Sequence, residues 1–199
     1  MKKRIQLSVL FGLICAILLS MSHFNVLCDD LRHNVLRLHI IANSDSVADQ
    51  ELKLKIRDEI LAQTGDMFLG ITDLSVAEEK AKNSLAPFES IANSVIEENG
   101  FDYKANAYLG DSYFETRHYD DFTLPAGNYR SLIINLGESK GKNWWCVIFP
   151  TVCIPAASKG ELTDSVSAES ADVATHSNQY IMRFKTVEIY EKIKKFVNK

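Results

Sequence analysis

His39, Ser44 and Asp45 supply the base, nucleophile and acid types of a hydrolytic triad. They lie, however, on one extended segment and the turn that ends it, whereas such triads are assembled from distant parts of a chain. The run Asn43-Ser44-Asp45-Ser46 reads equally well as a turn whose polar side chains cap a helix. His39 reads equally well as a half-buried strand residue bonded to a neighbour. A second histidine, His118, could serve as a base, and Asp120-Asp121 could form a carboxylate pair. Adjacent residues of an extended chain point to opposite faces, so a solvated turn is the simpler account of that pair. The sequence holds no Gly-x-Ser-x-Gly elbow, no His-Glu-x-x-His, no second cysteine pair of zinc spacing and no Gly-rich phosphate loop after a strand. Nothing in it calls for a metal or a cofactor.

Both tryptophans and two of the four cysteines fall between Gly141 and Cys153. Trp144 and Trp145 must point to opposite sides of a strand. One belongs to a core, and the other is either a contact residue of the kind that anchors partners or is covered by a helix. Arg37 and Arg57 either pair with carboxylates across the strand–helix unit or face a partner.

The first residues are a targeting segment. Lys2, Lys3 and Arg4 precede Ile5 to Leu19, which is apolar apart from Gln6, Ser8 and Gly12. Cleavage fits after Ser20-Met21-Ser22, and less well after Val26-Leu27-Cys28. Uncut, Ile5 to Leu27 is long enough to anchor the chain in a bilayer. Leu27 is too large to precede a lipid-modified Cys28. The basic start stays inside and the body ends outside, so residues 1–28 are set apart from the fold as leader or anchor. Setting aside Lys2, Lys3 and Arg4, 19 of the 22 basic residues remain against 26 acidic ones. That acidic body, with no basic cluster, argues against nucleic-acid binding. In an oxidising compartment Cys146 and Cys153 are expected to form a disulfide, worth roughly 2–3 kcal/mol for so short a loop.

The elements follow from periodicity. Val35 to Ile41 alternates as a strand, and Ser46 with Asp49 resembles a capping box opening a helix from about Val47 to Gln63. A second helix is expected from Ser75, kinked at Pro87 and ended by Asn99-Gly100. Tyr103 to Leu109 and Tyr113 to Tyr119 read as a hairpin turning at Gly110-Asp111. Tyr129 to Leu136 and Trp144 to Phe149 are further strands. Residues 156–179 shift to Ser, Ala and Asp, as in a linker, and 180–199 read as an amphipathic helix that docks on the body. The expected fold is α+β: a mainly antiparallel sheet of about five strands packed by two helices and a C-terminal helix, with the body over residues 29–155.

Three segments taken together carry a resemblance. They are Arg37-Leu38-His39-Ile40-Ile41-Ala42-Asn43-Ser44-Asp45-Ser46 with Asp49-Gln50 and Leu52 to Asp58; Leu124-Pro125-Ala126-Gly127-Asn128-Tyr129; and Gly141-Lys142-Asn143-Trp144-Trp145-Cys146-Val147-Ile148-Phe149-Pro150 with Cys153. In that order the chain resembles the stage II sporulation protein R family, from about Leu36 to Cys153. The resemblance implies a signalling protein of endospore-forming bacteria, made in the forespore and exported into the space between the two membranes. There such proteins trigger a membrane-embedded aspartic protease that removes the pro-segment of an early mother-cell sigma factor. The chain would then act by binding, and the resemblance supplies no catalytic residues. The contact surface expected from the polar residues at the end of the first strand is His39, Asn43, Ser44 and Asp45, with Trp144. The rivals are a secreted hydrolase using His39 or His118, and a cell-wall-binding module.

Overall fold

Leu36, Leu38 and Ile40 share one side of an extended segment, while Arg37, His39 and Ile41 share the other. In the computed structural model, which describes residues 2–119, 122–150 and 165–197, this segment is strand β1 (Leu36–Ile41). The other strands are β2 (Ala105–Phe114), β3 (Arg117–His118), β4 (Thr123–Leu124), β5 (Gly127–Leu136) and β6 (Asn143–Phe149). Four of them form one sheet in the order β2-β5-β1-β6, and β3 pairs with β4 separately. β1 runs parallel to β5 and antiparallel to β6, and β2 runs antiparallel to β5.

The expected sheet of about five mainly antiparallel strands is therefore corrected to a mixed sheet of four, whose central pair β1–β5 is parallel. A parallel pair needs a long crossover, and the helices between β1 and β2 supply it. The hairpin expected at Gly110-Asp111 does not form. β2 runs straight through, with Gly110 opposite Ser131 and Asp111 opposite Arg130, because β5 is long enough to pair with it from Ala105 to Phe114. An Arg130–Asp111 ion pair at 3.5 Å lies across this register.

One face of the sheet carries helices α2 (Val47–Thr64), α3 (Leu74–Asn83) and α4 (Leu85–Glu98). Leu52, Ile56, Ile60, Phe88, Ala92 and Ile96 meet Leu36, Leu38, Ile40, Leu132 and Ile134 there. Each large side chain so buried contributes about 1.5–3 kcal/mol. The single kinked helix expected after Ser75 is instead two helices, broken at Ser84. Pro87 falls in the first turn of α4, where a missing N–H removes no intrahelical bond, so it opens a new helix rather than bending an old one. The cap of α3 is Asp73, whose side chain accepts from the Ser75 amide at 2.7 Å.

The opposite face is covered by the end of α1 (Lys2–His33), by the β3–β4 ribbon and by α5 (Ala168–Thr175). Leu31, Val35, Phe114, Phe122, Leu124, Tyr129 and Val147 form this second core. A third cluster joins Phe24, Leu27 and Cys28 of α1 to Val173 of α5 and to Phe184 and Val187 of α6 (Ile181–Val197). Two expectations change here. Phe24, Leu27 and Cys28 belong to the segment 1–28 expected to stand apart from the fold as leader or anchor, yet they are buried in it. Of the segment 156–179 read as a linker, residues 156–164 lie outside the described residues. Ala168–Thr175 is a helix because Ser167 caps it and Ala171, Val173 and Ala174 find α1 to pack on.

Candidate functional site

The polar run after β1 is tied into the body of the protein. Ser46 accepts the Asp49 amide at 3.1 Å and so caps α2. The Asp49 carboxylate in turn accepts from Ser44 Oγ at 2.5 Å, Tyr103 OH at 2.7 Å and Asn43 Nδ2 at 3.1 Å. Burial pushes this carboxyl up, but the bonds from Ser44, Tyr103, Asn43 and Ser46 outweigh it and hold the group below the ordinary carboxylate value. Asn43 Oδ1 accepts the Glu138 amide at 2.9 Å, and Asp45 Oδ1 accepts the Lys142 amide at 2.7 Å. Backbone bonds from Lys140 to Asn43 and from Gly141 to Ala42 run alongside. Asn43 and Asp45 therefore buckle the β1–α2 turn to the β5–β6 connection, while Ser44 ties that turn to the start of α2.

His39 is not joined to Ser44 and Asp45. Its Nε2 lies 3.0 Å from Asn143 Oδ1 and its Nδ1 lies 3.2 Å from Ser112 Oγ. With the Asn143 oxygen accepting, Nε2 carries the proton and Nδ1 accepts from the serine hydroxyl. Burial, chiefly, holds this imidazole below its ordinary value, and Arg37 adds to the effect against the bond to Asn143, so the ring is neutral at pH 7. The ring meets Trp145 edge-on at 5.6 Å and Phe114 at 6.0 Å.

The two tryptophans face apart. Trp144 packs on the margin of the helix-side core beneath the Arg57 guanidinium, 4.3 Å from its ring centre. Trp145 lies on the His39 side, with Arg117 at 5.0 Å. Both are half-buried. His118, on β3, bonds Thr123 at 2.9 Å and stands apart from the His39 group. Cys146 is buried on β6, while Cys153, its expected partner, lies outside the described residues, as do Asp120 and Asp121.

Behind His39 on the same side of β1, Arg37 is fully buried. Its guanidinium lies 3.8 Å from the Phe114 ring centre and 4.9 Å from that of Tyr129, and it donates to Tyr119 OH at 2.5 Å. Among the described residues no group of three or more His, Cys, Asp or Glu is gathered to hold a metal. An open groove of about 830 Å³ between α3 and the sheet is lined by Asp73, Glu78, Glu79, Lys82 and Arg130 among others, and is spanned by the Arg130–Glu78 ion pair at 3.1 Å.

Reading the sequence alone missed Ser112, Asn143, Asp49 and Tyr103. The pairing of Ser112 with His39 depends on the β2–β5–β1 register, which no local pattern reveals. Asp49 was visible as a cap, but not as the carboxylate that gathers three side chains. Chemically, the His39 group offers a neutral imidazole and aromatic edges to a partner, and a hydroxyl beside a base.

No solved structure matches the chain. Over 126 residues it is 36% identical to the stage II sporulation protein R of Bacillus subtilis (strain 168), a match covering 63% of this chain and 56% of that protein. The chain thus spans little more than half the length of the curated relative it matches. The family described as stage II sporulation protein R (spore_II_R) matches residues 32–159, from the last turn of α1 past the end of β6. The chain belongs to the stage II sporulation protein R family.

Proposed function

We propose that the chain is an exported sporulation signal that acts by binding, and that it switches on a membrane-embedded aspartic protease which processes the pro-form of an early mother-cell sigma factor. Family membership supports the sporulation signalling role. The observation that carries export is α1: from Ile5 to Leu19 its large apolar side chains have no protein over them, while its last turns are built into the folded domain. A helix apolar all round and bare of protein belongs in a membrane or a translocation channel. The destination is the space between the forespore and mother-cell membranes, with α1 as leader or anchor. A Cys146–Cys153 disulfide suits that compartment.

The contact surface on this reading is the end of β1 and the start of β6. His39, Asn143 and Trp145 stand there together, with Asn43, Ser44 and Asp45 shaping the adjoining turn. Trp144 lies across the sheet and holds the helix layer. Docking would favour the protease's active state through its higher affinity for that state. The test is reconstitution: the full chain is supplied to membranes holding the protease and the pro-sigma substrate. Cleavage that depends on the chain supports the reading, and cleavage unaffected by it refutes it. The double variant His39→Ala/Trp145→Ala should lose activation while remaining folded.

The Ser112–His39–Asn143 chain of contacts favours one second reading, a secreted hydrolase with Ser112 as nucleophile and His39 as base.

A further inference from the structure

We propose that the first turn of α6, with Tyr180 before it, rests in the headgroup layer of the bilayer that α1 spans, and so fixes how the domain stands on the membrane. This rests on the export reading above and takes its anchor form, with α1 uncut. Lys2, Lys3 and Arg4 hold the start of α1 on the inner side. A hydrocarbon layer of about 30 Å takes about 20 helical residues at 1.5 Å each, and counted from Ile5 these reach Phe24. Phe24 is thus the level at which α1 leaves the hydrocarbon, and it is also the first residue of α1 buried by the domain.

What covers Phe24 must lie at that level too. Phe184 meets its ring at 5.3 Å and Tyr180 stacks on it at 5.8 Å. The Arg183 guanidinium sits 5.8 Å from the Phe24 ring centre and 5.6 Å from that of Tyr180. The direction of α6 follows from a second contact pair: Phe24 touches Phe184, while Arg32, two turns on, pairs with Glu191 at 3.4 Å. The two helices therefore run the same way, and both climb away from the membrane. Residues of α6 before Phe184 face the bilayer, and residues after it recede.

Those earlier residues have the composition of an interfacial seat. Ile181 and Met182 are apolar yet 57% and 80% exposed. Tyr180 and Arg183 flank them, the pairing of aromatic ring and long cation enriched where hydrocarbon gives way to headgroups. Arg183 would meet anionic lipid phosphates there. Phe196 is as exposed, at 84%, but lies twelve residues beyond Phe184, about 18 Å further along the helix.

The test uses the full chain in vesicles containing anionic lipid and lipid brominated near the headgroup, which quenches tryptophan on contact. Met182→Trp and Phe196→Trp each add a reporter to the two native tryptophans. The emission added at 182 is expected to be blue-shifted and mostly quenched, and that added at 196 to be neither. Equal behaviour of the two, or release of the chain from the vesicles by an alkaline carbonate wash, overturns the proposal. Sigma-precursor processing is scored separately in the same vesicles. An active chain with an unquenched 182 reporter sinks the seat alone, and a quenched but inactive chain sinks the proposed function alone.

Discussion

Tyr103 donates its hydroxyl to Asp49 Oδ1 at 2.7 Å, joining the approach to β2 to the first turn of α2. Asp49 also takes Ser44 and Asn43, so one carboxylate fixes the start of a helix, the turn before it and a segment more than fifty residues on. Replacing it with asparagine puts a donor where donors already converge. Asp49→Asn is expected to lower stability by about 3 kcal/mol, read as a shifted urea midpoint. The acid dependence should change with it. The carboxyl of the folded protein is held below the ordinary value of 3.8, so its contribution is complete above that pH and is lost as pH falls through the lowered value. The variant should lack this part of the acid-unfolding curve.

Gly141 lies where the β5–β6 connection crosses the turn after β1. A Cβ at this position would run into the Ser44 carbonyl and the Ala42 side chain. A backbone carbonyl cannot swing aside, and the Gly141 amide is already bonded to Ala42 O at 2.9 Å. Gly141→Ala is expected to cost more than about 2 kcal/mol, with faster amide exchange at Gly141 and Lys142 as its signature.

Much of this was legible in the chain. The alternation of Leu36, Leu38 and Ile40 with Arg37 and His39 gave β1 and both its faces, and the Ser46–Asp49 pair gave the start of α2. The apolar run gave α1, although not its end, because Phe24, Leu27 and Cys28 look the same whether lipid or protein covers them. The turn predicted at Gly110-Asp111 failed for a non-local reason: those residues take their conformation from Ser131 and Arg130 of β5. The same blindness hid the Ser112–His39 contact, which crosses two strand registers. Asn43, Ser44 and Asp45 stand out in the sequence as massed polar groups, but only the fold shows them tied to Glu138, Lys142 and Asp49.

Arg37 is buried between aromatic rings, and among the described residues no carboxylate pairs with it. Burial pushes its guanidinium down from the ordinary value, against the neighbouring tyrosines. The planar cation stacks on Phe114 while it reaches Tyr119, which a lysine ammonium cannot reproduce. Arg37→Lys is therefore expected to be the more damaging change, at about 3 kcal/mol, and Arg37→Met the milder, at about 1 kcal/mol, since it removes the charge instead of stranding it. Thermal unfolding of the two variants side by side tests this order.

Cys28 packs between α1, α5 and α6, and burial drives its thiol up to about 12 against the pull of Arg32. A thiolate is the reactive form, so alkylation at neutral pH should leave Cys28 unmodified in the folded protein and modify it fully in denaturant. Peptide mass mapping after each treatment reads the difference. Modification without denaturant would mean that the junction of α1 with α6 opens in solution.

The Ser112–His39 contact separates binding from catalysis. If the hydroxyl serves only to satisfy the imidazole, Ser112→Ala removes one neutral hydrogen bond and should cost about 1 kcal/mol of stability, with protease activation intact. If Ser112 is a nucleophile, the same change should abolish activity while His39 and Asn143 keep their contact. His39→Gln sharpens the comparison, because its amide can still bond Asn143 and Ser112 but cannot take up a proton at pH 7. If the proposed docking surface is right, processing of the sigma precursor is retained in both variants, since docking would need the shape and polarity of His39 and not its basicity. Loss of processing in both, with urea midpoints unchanged, would move the chain from ligand to enzyme.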